Sequence, residues 1–134
     1  MSHYSPHLLP KVRSDVLMQA IGGNLPKKLS GPHYPCTLRI AGLIPGHRCA
    51  SPDTVVGCHL GNLGKGMSTK VSDLNVGAGC KACHDLIDMV DKRWFKLMED
   101  HGVTVLNRII SSIQETQAML IRDGIIKVKG GTII

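Results

Sequence analysis

The pair Cys80-Lys81-Ala82-Cys83 constrains this chain more than any other feature of its sequence. Two thiols at C-x2-C spacing, at the start of a helical pattern, can both reach one ion, and helix N–H groups favour the thiolate form. One such pair is half of a tetrahedral site. Cys36 and Cys49, which flank a turn-rich run, are the candidates for the other half. Four thiolates would make a closed structural zinc site. Two other readings use the same residues: a redox-active C-x2-C, which ordinarily follows a strand in a thioredoxin-like pattern absent here, and plain buried thiols. Cys58 is the odd fifth cysteine and reads as a small buried hydrophobe.

Metal matters because the core is modest. The chain has 134 residues, room for one domain, and only 3% aromatics, so Ile, Leu, Val and Met must fill the interior. A structural zinc adds folding free energy of about 10 kcal/mol or more. No run approaches the roughly 18 to 20 apolar residues that cross a bilayer, which argues against a membrane protein. The segment Met1–His7 lacks the order of a secretion signal, so a cytoplasmic, intracellular location with reduced thiols is expected. The net charge is +6, and residues 1–50 alone carry +5, which points to an anionic partner met by the N-terminal third.

The pattern predicts an α+β fold in three parts. Residues 1–32, rich in Pro and Gly and containing Lys27 and Lys28, read as a basic, flexible arm with at most one short helix near Ser14–Ile21. Residues 33–99 read as the core. Within it, Thr37–Ile40 and Thr54–His59 are β-branched runs bounded by Pro and Gly, expected to pair as a hairpin. Residues 60–79 read as a long glycine-rich loop serving a site. A helix is expected from 81 to 99, with Ile87, Val90, Trp94 and Leu97 on its apolar face and His84, Asp88 and Asp91 on its polar face. In the third part, residues 100–134, a helix from Val103 to Arg122 should bury a stripe including Leu106, Ile109, Ile110, Ile113 and Leu120 and stop at Gly124. A terminal strand should follow from Ile125. A Leu/Ile stripe this long packs on the core or, as the alternative, forms a symmetric homodimer.

His59 ends a strand just before the glycine-rich loop. His84 follows Cys83, with Asp88 one turn later, so imidazole and carboxylate can bind one divalent metal from the same side of a helix. An imidazole at His59 is suited to proton removal at neutral pH. Taken singly, each is more often a hydrogen-bonded strand-end histidine or a solvated helix face; only together do they point to a site.

That combination resembles the HNH, or His-Me finger, nucleases: strand, His, irregular loop with Asn, C-x2-C-His, helix. The run Thr54–Leu60, then Asp73 and Leu74, then Cys80–Asp88, is similar to the YbcO-like family of small prophage nuclease-domain proteins, over about residues 33–98. The resemblance implies a zinc-stabilised ββα-metal core with Cys36, Cys49, Cys80 and Cys83 as structural zinc ligands. It implies His59 as general base, Asn75 as its support, and His84 and Asp88 as ligands of a catalytic Mg2+ or Mn2+. Cys58 departs from the pattern, since metal-dependent members often carry Asp or His before the base.

The implied activity is metal-dependent hydrolysis of DNA in a bacterial host, with Lys65 and Lys70 of the loop, and Lys27 and Lys28 of the arm, contacting phosphates. Each lysine taken singly serves equally well to keep a segment soluble. The alternative function is a zinc-stabilised DNA-binding or protein-interaction module with a weak or inactive metal site. A redox protein using Cys80 and Cys83 is the third.

Overall fold

The computed structural model describes residues 9–25, 34–61 and 71–134. Lys27, Lys28, Lys65 and Lys70 lie outside the described residues. Among the described residues the fold is α+β, with three helices and two antiparallel strands.

Helix α1 covers Asp15–Ile21 and begins where the sequence predicts, because the Ser14 side chain accepts a hydrogen bond from the Leu17 N–H. It is no free appendage. Leu17, Ala20 and Ile21 are buried in the same cluster as Leu38, Leu60 and Leu86, so this stretch of the expected arm belongs to the core.

Strand β1, Val56–His59, does not pair with Thr37–Ile40. Its partner is β2, Val76–Gly79, in the register Val56 with Gly79 and His59 with Val76. The expected loop of residues 60–79 therefore ends in a strand. Its sequence, Val-Gly-Ala-Gly, has low strand propensity, but burial explains it. All four residues are buried, and α3 packs directly on β2. A Cβ at Gly77 would collide with the Ser112 hydroxyl and lie 2.6 Å from Leu60 Cδ1. One at Gly79 would lie 2.7 Å from both Cys58 Sγ and Leu38 Cδ1. Glycine is required here by close approach. Gly77→Ala should therefore cost about 3 kcal/mol or more of stability, read as a lowered urea midpoint at unchanged slope.

The outer edge of β2 is satisfied by hydroxyls. The Ala78 N–H donates to Thr116 Oγ1 at 2.9 Å, and its carbonyl accepts from Thr37 N at 2.7 Å and Thr37 Oγ1 at 2.9 Å. Thr37 Oγ1 and Ser112 Oγ lie 2.6 Å apart. Thr37 thus lies along the sheet edge without continuing as a strand. This polar seam decides which face of α3 is inward: Val105, Ser112, Thr116 and Leu120 are buried, while Leu106 and Ile110 of the expected stripe are exposed.

The expected helix 81–99 is broken in two. Helix α2 covers Lys81–Ile87 with Asp88 as its C-cap, and Met89 takes the left-handed conformation at φ 58. Val90 is left exposed. Asp91 then accepts the Arg93 N–H at 3.0 Å and starts helix α3, Trp94–Arg122. The expected boundary near residue 100 survives as a kink, with His101 at φ -137. Helix α3 ends as predicted, with Gly124 at φ 72 just beyond Asp123. The terminal strand does not form. Ile125 and Ile126 both donate to the Leu120 carbonyl, folding the tail back on the helix end.

Candidate metal centre and the histidine sites

Cys80 and Cys83 enter from the start of α2. Cys36 and Cys49 enter from the segment that crosses over it, whose path is set by Arg39 at φ 51 and a 3-10 turn at Ala41–Leu43. The four ligand sulfurs all lie within 4.8 Å of one another. Cys36 and Cys49 are each 3.7 Å from Cys83, and 3.9 Å from one another. A disulfide needs about 2.05 Å, so these are free thiols. A tetrahedron with metal–sulfur bonds of about 2.3 Å has edges of about 3.8 Å. The cluster therefore has the dimensions of a four-thiolate metal site.

Its surroundings favour anionic sulfur. The Ala41 N–H points at Cys83 Sγ at 3.4 Å and the Ala50 N–H at Cys80 Sγ at 3.3 Å. The hydrogen bond between the Cys36 and Cys83 sulfurs pulls Cys36 down to about 4. Cys83 is raised in turn, first by that same bond and then by burial. Burial, and after it the charge on Cys36, pushes Cys49 up to about 12. Cys58 is fully buried between the strands and α2, outside this group, and burial pushes its thiol up to about 12.

His59 lies at the end of β1, its side chain 40% exposed. Its Nε2 is 2.8 Å from Oδ1 of Asp73, a buried carboxylate. Burial alone would raise Asp73, yet the hydrogen bonds from His59 and from the Ser14 N–H outweigh it and hold the carboxyl below its ordinary value. Asp73 is the residue that reading the sequence missed. Its spacing from His59 is not diagnostic; only its place beside His59 in the quoted family run marked it. Asn75, the expected support, acts through its backbone: its carbonyl accepts the Leu60 N–H at 2.7 Å, extending the pairing of β1 and β2 by one residue.

His84 Nε2 lies 2.9 Å from Asp88 Oδ2, with the two side chains 36% and 55% exposed. The pairing expected one helical turn apart is present even though Asp88 caps α2 rather than continuing it. Helix α2 packs against both strands. Among the described residues, the four cysteines are the one group of three or more His, Cys, Asp or Glu side chains placed to share an ion. No helix among the described residues is long and apolar enough to cross a membrane. Comparison with protein-family models, curated proteins and solved structures finds no match.

Proposed function

We propose that this chain is a metal-dependent DNA endonuclease of HNH type, built on a zinc-stapled ββα-metal core. The observation that carries the reading is the order of its parts: a histidine at the end of β1, an antiparallel return through β2, and then a helix bearing two cysteines and the His84–Asp88 pair. Sulfur-only coordination at tetrahedral spacing favours zinc in the cysteine cluster, where it would pin the 36–49 segment to α2.

The His84–Asp88 pair fits a second, more weakly held cation. Mg2+ and Mn2+ accept one or two protein donors and complete their shell with water and substrate phosphate, and both side chains here reach solvent. Bound there, such an ion would neutralise charge on the scissile phosphate and the leaving oxygen. The chain's own part is acid–base chemistry and positioning. His59 would take the proton from the attacking water, while its ring is held by Asp73. Lys27, Lys28, Lys65 and Lys70 would add salt-dependent, sequence-independent affinity for phosphate.

Two observations favour a second reading, a zinc-stabilised binding module without catalysis: no third ligand joins His84 and Asp88 among the described residues, and a neutral, buried thiol occupies position 58. The test between them is plasmid cleavage at low salt with Mg2+ or Mn2+. Nicking that stops with excess chelator supports the enzyme; intact plasmid together with retained zinc supports the module.

A further inference from the structure

The Asp73 carboxylate faces two donors at once. Its Oδ2 accepts the Ser14 backbone N–H at 2.7 Å, and its Oδ1 lies 2.8 Å from His59 Nε2. The contact is braced on both sides. Asp73 N–H donates to the Val12 carbonyl at 2.8 Å, and Val12 N–H donates to Ser72 Oγ at 3.1 Å. The segment Val12–Ser14 therefore lies along Ser72–Asp73 like a short strip of sheet, and α1 starts immediately after it.

From this geometry we infer that Asp73 is a positioning residue that fixes the tautomer and orientation of His59, and that Val12–Ser14 holds Asp73 in place to do so. The inference rests on the endonuclease reading for its catalytic meaning, but not for its structural content. An ionised carboxylate only accepts hydrogen bonds, so the proton shared with His59 belongs to Nε2. Nδ1 then carries the lone pair, and it is the atom turned into a base. Among the described residues no group bonds to Nδ1. Asp73 stays ionised at neutral pH, since its hydrogen bonds hold its carboxyl below the ordinary value.

A carboxamide cannot do the same work. Asparagine has one oxygen for two donors. The Ser14 N–H is a backbone donor and cannot reverse, so the oxygen of Asp73→Asn turns to Ser14 and the NH2 group faces His59. Nε2 must then accept, the ring proton moves to Nδ1, and the base is lost. An inverted tautomer at a catalytic histidine lowers kcat by about 10⁴-fold in serine proteases, and a drop of at least about 10³-fold is expected here with KM little changed.

The test uses the zinc-bound full chain. Long-range proton–nitrogen correlation spectra above pH 7 should show His59 as the Nε2–H tautomer in the wild type and as Nδ1–H in Asp73→Asn. The same two proteins are compared for kcat and KM on plasmid DNA. A wild-type His59 in the Nδ1–H form overturns the inference, whether or not the variant folds. So does a folded Asp73→Asn protein with unchanged tautomer and kcat, and in that case the endonuclease reading survives. If the tautomer inverts as expected but the wild type cuts no DNA, the positioning role stands and the endonuclease reading falls.

Discussion

Cys83→Ser is expected to leave the chain largely unfolded at neutral pH, and stripping the wild type with a strong zinc chelator should do the same. The expected size follows from comparing two magnitudes. Structural zinc contributes about 10 to 16 kcal/mol in small zinc domains, whereas whole domains are stable by only about 5 to 15 kcal/mol. Here the core has few large side chains, and the segment carrying Cys36 and Cys49 has no strand of its own to hold it. Its anchors are the cysteine cluster, the burial of Leu38, Ile40 and Ala41 in the core, the Thr37 bonds to Ala78, and the exposed Arg39–Glu115 pair at 2.7 Å. Ion pairs of that exposure are worth at most about 1 kcal/mol, so they cannot replace the cluster. Cys58→Ala is the contrasting variant. Its sulfur lies outside the cluster, so it should retain zinc and lose only about 1 to 2 kcal/mol from the cavity. Far-UV circular dichroism with and without chelator reads both outcomes.

The second large effect is on chemistry rather than stability. His59→Ala should lower metal-dependent cleavage by about 10²- to 10⁴-fold while keeping zinc and a near-wild-type melting temperature. The His59 side chain is 40% exposed and packs no core, so its loss removes the proton acceptor and one of the two hydrogen bonds to Asp73, whose Oδ2 keeps the Ser14 N–H. His84→Ala should fail differently. Its cleavage should recover in part as Mg2+ or Mn2+ is raised, because a binding donor has been lost and not the base. If His59→Ala cuts as fast as the wild type, the assigned role of His59 is wrong.

What could be read from sequence was local chemistry with fixed spacing. A short helix near Ser14–Ile21, Gly124 stopping α3, the C-x2-C at the head of a helix and the His84–Asp88 pair all depend on neighbours a few positions away. The grouping of Cys36 and Cys49 with Cys80 and Cys83 was also legible, because four soft ligands have few other uses in one small domain. The misses share one cause, which is that long-range packing overrode local preference. Strand β2 is Val-Gly-Ala-Gly, unpromising by propensity, yet glycine is what lets α3 and Leu38 come close. Ser112 and Thr116 lie outside the Leu/Ile stripe read from the sequence, yet they face inward to satisfy Ala78 and Thr37. Met89 gave no sign of the left-handed turn that splits the expected long helix, since glycine is the usual marker there. Asp73 could not be paired with His59 by spacing, because a separation of 14 residues is diagnostic of no helix or strand pairing.

The cysteine cluster is tested most directly by native mass spectrometry of the purified chain. The predicted result is one zinc per chain, with Cys36, Cys49, Cys80 and Cys83 all resistant to alkylation until the metal is stripped. A folded, metal-free chain with those thiols reactive, or a disulfide between any two of them, would contradict it.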